Sequence, residues 1–302
     1  MEGKGILAFL FILLAVGLLS FYWFFPLGSR QFEVNYGTTN FSVDSASNQM
    51  QFYPNMRYAT DLISYKINSE CSPQKNSDMV WAFEILSEET ILNFYPVTQG
   101  EQISIDCQDK NIVEGGLFIA GEGGPTNISK VGEFNLINSG KILLIRSADC
   151  PKPNVAIHEL LHTLGFEHSP NPENIMYNFT SCSQEIGTDI INLINNLYLI
   201  PPYPDLALES ISAKFEGRTL MLNVSVRNNG LASSQDSVLS IYTDTKKIGS
   251  VDLTAIESGY GIQLSWEKVL FDTSFNTITL SIMYGGSELD KDNNDVVLEI
   301  KK

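Results

Sequence analysis

Apolar positions fall into three regimes along the chain. Ile6 to Phe25 is a run of 20 residues in which only Ser20 and Tyr22 carry polar groups. At ~1.5 Å per helical residue it matches the ~30 Å hydrocarbon core of a bilayer. Tyr22, Trp23, Phe24 and Phe25 have the character of an interfacial aromatic belt, and Pro26 stops a helix. Residues 6–25 are therefore expected to be a transmembrane signal anchor. Lys4 and the α-amino group place residues 1–5 in the cytoplasm, with Arg30 opposing that bias. The alternative is a cleaved signal peptide, which would make the remainder secreted. Either way residues 31–302 face outward, in keeping with N-x-Ser/Thr sequons at Asn40, Asn127, Asn178 and Asn223.

The last regime has period two. In TLMLNVSVRN, Leu220, Leu222, Val224 and Val226 share one face, and Asn223, Ser225 and Arg227 the other. Similar runs at 238–244, 262–271, 276–284 and 296–300 are separated by turn residues such as Asn228-Asn229-Gly230 and Gly285-Gly286. About seven short strands in ~100 residues indicate an all-β immunoglobulin-like sandwich. Pro201, Pro202 and Pro204 in PPYPDL mark the linker before it.

Composition narrows the function. Lys and Arg total 19 against 35 Asp and Glu, a formal charge of -16, so the surface repels phosphate backbones and no nucleic acid partner is expected. Cys71, Cys107, Cys150 and Cys182 all lie in the middle regime without a CxxC pair, and an even count favours disulfides in an oxidising compartment.

All three histidines lie in one string, HELLHTLGFEH, as His158, His162 and His168. Asn154 is placed to cap a helix from Val155, on which His158 and His162 stand one turn apart on one face, where two imidazoles can share a zinc. Glu159 would sit beside the open metal position and take a proton from water there. Gly165 ends the helix by adopting a left-handed conformation, and the turn brings His168 in as third ligand. Three protein ligands leave a fourth position open, the arrangement of a catalytic rather than a closed structural zinc.

This extended string resembles the metzincin signature, with Met176 in NIMY supplying the methionine turn. HSPNPENIMY (residues 168–177) is most similar to the matrixins, the matrix-metalloprotease-like branch. Looser likeness covers about residues 50–200. PNMRYATDLISYKI resembles the lead-in and first strand, SDMVWAFEIL the first helix, TILNFYPVTQGEQISIDC the next two strands, and SQEIGTDIINLINNLY the closing helix. The resemblance implies an α+β metzincin catalytic domain, a mixed five-stranded sheet with an active-site helix and a C-terminal helix. It also implies one catalytic Zn2+ and a protein or peptide substrate laid antiparallel to an edge strand. That strand is expected within Gly115 to Gly121, where a glycine-rich flexible loop is an equal reading. No histidine remains for a second zinc. Calcium among the groups from Glu114 to Gly124 stands against a solvated acidic turn. No cysteine precedes the domain, so no cysteine-switch zymogen is expected. Three cysteine pairings are possible. Cys150 with Cys182, which bracket the active helix and methionine turn, and Cys71 with Cys107 are the expected ones.

PDLAL at 204–208, VRNNG at 226–230 and DKDNN at 290–294 resemble the CARDB family, an adhesion-related sandwich. The domains are thus expected at 51–200 and 205–302, with linkers at 26–50 and 201–204. Asp290, Asp292 and Asp295 are either a calcium cluster or a polar hairpin. The sequence reads as a membrane-anchored extracellular zinc metalloendopeptidase with Glu159 as general base. Its C-terminal domain would be a spacer or would bind a cell-surface or matrix partner. The rival is a catalytically silent surface adhesion protein that works through the sandwich.

Overall fold

The computed structural model describes residues 3–24, 29–36, 41–43, 50–109, 113–114, 117–146, 150–244, 246–270 and 275–300. Excluded from that description are the side chains of 3–4, 21–24, 29–30, 113–114 and 117–118. Phe25 and Pro26, the sequon asparagine Asn40, and Gly115 and Gly116 lie outside the described residues, as do the side chains of Tyr22, Trp23 and Phe24 in the expected aromatic belt. Two units carry the chain, one built from 1–40, 205–228 and 234–302, the other from 41–204 with 229–233.

Helix α1 (Gly3–Phe24) is apolar on every side, and Ile6, Leu7, Phe9, Leu10 and Phe11 are exposed. No helix among the described residues is long and apolar enough to cross a membrane, so the structure does not support the anchor expected at 6–25. Strand β1 (Ser29–Tyr36) follows, inside the stretch expected as a linker.

The second unit begins with β2 (Met56–Arg57) and β3 (Leu62–Ile67), then α2 (Pro73–Glu89), β4 (Asn93–Pro96) and β5 (Ile103–Cys107). Helix α2 starts where Ser72 caps Lys75 N and Pro73 occupies the first turn, a position whose missing N–H costs nothing. Its Met79, Ala82, Phe83 and Leu86, at helical spacing, are buried. A two-residue ladder of β6 (Val113–Glu114) and β7 (Leu117–Phe118) precedes β8 (Gly121–Val131) and β9 (Phe134–Leu144). Helices α3 (Asn154–Thr163) and α4 (Thr188–Leu199) complete the unit. The sheet runs β2-β9-β5-β3-β4, all parallel, with β8 antiparallel along the other side of β9. It thus has six strands, the short β2 being added to the expected mixed five. One core joins Ile63, Ile105 and Ile142 of the sheet to Phe83 of α2, Leu160 and Leu161 of α3, and Leu193 of α4. Cys71–Cys107 and Cys150–Cys182 are both disulfides.

The other unit contains β10 (Leu206–Glu216), β11 (Thr219–Asn228), β12 (Ser237–Thr243), β13 (Lys246–Leu253), β14 (Gly261–Val269), β15 (Thr277–Met283) and β16 (Asp295–Ile300). One layer is β10-β11-β14 and the other β13-β12-β15-β16. Inward residues of both, such as Leu222 and Val224 from the first and Ile241 and Leu280 from the second, share one core, which makes a sandwich. Strand β1 belongs here. Residues 29–31 pair with β10 and residues 32–36 with β16, so this strand crosses from one layer to the other. Residues 29–36 thus depart from the linker expected over 26–50, because their pairing partners lie far along the chain, out of reach of any local pattern.

Candidate metal centre

Ten residues of α3 carry the two nearer histidines and Glu159, and all of them are buried, His158 at 6%, Glu159 at 5% and His162 at 7% exposure. The helix begins on Pro153 without a side-chain cap. Asn154, expected as that cap, instead donates through Nδ2 to Ser181 O (2.8 Å) and Gln184 O (3.3 Å). It ties the helix to the loop after the methionine turn, the same loop that Cys150–Cys182 fastens. At the other end Gly165 N donates to His162 O and Phe166 N to Leu161 O, the paired bonds of a Schellman stop. Gly165 has φ +95°, and a Cβ there would meet Met56 Cβ at 2.8 Å, so glycine is required twice over.

The turn brings the three histidines together. His158 Nε2 lies 3.1 Å from His162 Nε2, which lies 3.2 Å from the Nε2 of exposed His168. His158 Nδ1 is 2.6 Å from Ile175 O and His162 Nδ1 is 2.7 Å from Phe166 O. A carbonyl accepts only from a protonated nitrogen, so each Nδ1 donates and each Nε2 keeps its lone pair. Burial lowers the pKa of His158 and takes that of His162, helped by the His158 charge, down to about 4. Both rings are neutral at pH 7. Two unprotonated Nε2 atoms at 3.1 Å cannot hydrogen-bond each other, whereas a cation between them satisfies both. Tetrahedral zinc at ~2.0–2.1 Å from each nitrogen puts its ligands ~3.3 Å apart, so the donor set fits.

The methionine turn is tied to this cluster by hydrogen bonds. Met176 is fully buried, its N–H is taken by Asn174 Oδ1 (2.9 Å), and its carbonyl accepts from Ser169 N (2.7 Å). The preceding Ile175 supplies the carbonyl that orients His158. Gln184, 2% exposed, knits the same loop by donating to Pro172 O and Phe179 O.

Glu159 is pinned between the helix and β8. A Cβ on Gly121 would meet Glu159 Cγ at 2.8 Å and Oε1 at 2.9 Å, and one on Gly123 would meet Glu159 O at 2.3 Å. Burial, with the Glu122 charge adding, raises the Glu159 pKa to about 8. A bound cation would pull it back down. Strand β8 pairs with β9 alone, so among the described residues its other edge is open. The edge strand beside Glu159 is therefore Gly121–Val131 rather than Gly115 to Gly121, with Gly121 and Gly123 demanded by close approach to the helix. Sequence reasoning also missed Phe52. Its ring stacks on His162 at 5.9 Å between centroids, and its N–H donates to Gly165 O.

Residues 57–199 match the family model of Matrixin (Peptidase_M10), and residues 203–296 match that of CARDB. Residues 57–199 are a matrixin domain. No curated protein matches the chain. A segment is similar to the solved structure of β-glucosidase 3B from Thermotoga neapolitana in complex with glucose. That likeness has 15% identity and a TM-score of 0.22 over 26% of this chain and 14% of that one, too slight to bear on fold or function. The matrixin match implies zinc and a protein substrate, and the three histidines could hold a metal ion. The CARDB match spans 203–296 and so leaves out β1 and the end of β16, both of which belong to the sandwich.

Proposed function

We propose that the chain is a zinc endopeptidase, with His158, His162 and His168 as ligands and Glu159 as general base. The observation carrying this reading is the convergence of three Nε2 atoms, those of His158 and His162 oriented through their Nδ1 hydrogen bonds, beside a buried carboxylate and an open strand edge. When bound, zinc supplies Lewis-acid polarisation of the scissile carbonyl and acidifies water to a pKa of ~7. The open edge of β8 binds an extended substrate by backbone pairing, which selects conformation more than sequence. Glu159 takes the proton of the attacking water on a carboxylate oxygen and passes it to the departing amide nitrogen. Burial of Glu159 keeps bulk water from competing for that proton.

The apolar run in 6–25 supports an uncleaved membrane anchor with both domains outside the cell, and the sandwich then acts as a spacer or as the binder of a surface partner. The test is hydrolysis of a mixed peptide library by the full chain beside Glu159→Ala, with zinc quantified in both. Zinc in both and cleavage by wild type alone is expected. Equal cleavage would remove Glu159 from its role, and zinc without cleavage by either would favour a silent adhesion protein.

A further inference from the structure

The hairpin before β16 and the residue before β10 bury acidic groups that, among the described residues, form no salt bridge. Asp205 and Asp290 are 6% and 7% exposed, and Glu288 is half-buried beside them. Their donors are neutral. Asn293 Nδ2 reaches Asp205 (2.9 Å), Asn294 Nδ2 and Leu206 N reach Glu288 (2.7 and 2.9 Å), and Asp292 N reaches Asp290 Oδ1 (2.9 Å). The cation felt there is exposed Lys291, whose Nζ is held by Gly286 O. Three further oxygens, Asp290 Oδ2, Asn293 Oδ1 and Asn294 Oδ1, are buried without a hydrogen-bond partner, and Asn294 is only 6% exposed. A buried oxygen left unpaired forfeits the hydrogen bonds it made to water, so three in one hairpin call for a shared partner.

We propose that Asp205, Glu288, Asp290, Asn293 and Asn294 form a calcium site in the sandwich. The orphaned atoms are all acceptors, so the missing partner is a cation or a donor. Clustered carboxylates favour the cation. Oxygen ligands without nitrogen or sulfur select a hard ion, and calcium accepts six to eight of them in irregular geometry. The carboxylates alone do not close to ligand spacing, which among the described residues only the histidines do. The asparagine oxygens complete the set. Asp292 and Asp295 are exposed, so of the three aspartates that the sequence offered as either a calcium cluster or a polar hairpin, this site keeps Asp290 and takes Asp205 and Glu288 in place of the other two. Burial, then the charges of Asp290 and Glu288, raises the Asp205 pKa to about 6 against the pull of Asn293, as a carboxylate lacking its counter-ion should behave.

The test uses the zinc-replete full chain in detergent. Amide hydrogen exchange in peptides covering 286–296 is followed with and without CaCl2 at ~1 mM, the weak end for extracellular modules. Calcium is expected to slow exchange at least tenfold in wild type, and to need at least tenfold higher concentration in Asp290→Asn. If Asp290→Asn does not fold, Asn293→Ala carries the same comparison. No slowing in wild type overturns the site, and so does equal slowing in the variant.

Discussion

Gly121 and Gly124 sit three residues apart on β8 and separate two meanings of glycine. A Cβ at 124 meets nothing within 4 Å, whereas one at 121 would drive Glu159 off its position. Gly121→Ala is expected to lower the peptidase rate at least tenfold while zinc content stays at wild type, and Gly124→Ala to leave both unchanged. Parallel rate and zinc assays decide, and equal rates for the two variants would detach β8 from Glu159. Asp205 gives a prediction of opposite character. Its pKa of about 6 lies above its ordinary 3.8, so the folded state holds the proton more tightly than the unfolded one. Faced by Glu288, Asp290 and Asn293, with Lys291 beside Glu288, it penalises folding above pH 6, and that penalty is relieved as pH falls towards 3.8. Without calcium the sandwich transition is expected to move to higher denaturant between pH 7 and 5. With calcium the trend should reverse, as protons displace the ion. At this scale the sequence showed the histidines, Glu159, Gly165 and Met176, whose spacing is local. It hid Phe52, Gly121 and Asp205, whose partners are remote.

Arg57 shows what joins elements together. It is 1% exposed, donates to the carbonyls of Leu197 and Ile200, and lies over the Tyr198 ring at 4.4 Å. The strand β2 thereby caps the carboxyl end of α4, where orphan carbonyls gather and a cation is favoured. Lysine has neither the planar fork nor the stacking face. Arg57→Lys is expected to cost at least ~2 kcal/mol, by leaving a buried carbonyl without its donor. Urea unfolding of the matrixin domain measures it, and a loss below ~0.5 kcal/mol would make Arg57 dispensable. The resemblance to the matrixin closing helix announced α4, but it begins at Thr188 and not Ser183, because Gln184 is spent on the preceding loop and Gly187 is extended at the cap. Strands β8 and β9 escaped notice because glycines required by close packing look like a loop when read locally.

Across the whole molecule the chain lays β1 into the sandwich, leaves to build the matrixin domain, and returns through β10, a neighbour of β1 in the ladder. The period-two pattern made the sandwich legible from 206 onward. The strand at 29–36 was not legible, since its pairing partners at 214–216 and 296–300 lie some 180 to 270 residues away. Its inward residues are Phe32, which stacks on Phe275 at 6.4 Å, and Val34, both packed against the sandwich core. Full burial of such a side chain stabilises by ~1.5–3 kcal/mol, and these are half-buried, so about 2 kcal/mol for the pair is expected. Removing β1 also opens the edges of β10 and β16, which invites strand pairing with other molecules. A chain beginning at Phe41 should therefore unfold its sandwich at lower denaturant than one beginning at Ser29, and should associate as concentration rises. Zinc content should stay the same, because the matrixin domain has a core of its own. Denaturation followed separately for the two domains, with sedimentation across a concentration series, tests this. Identical sandwich midpoints and no association would mean that β1 rests on the sandwich without contributing to its stability.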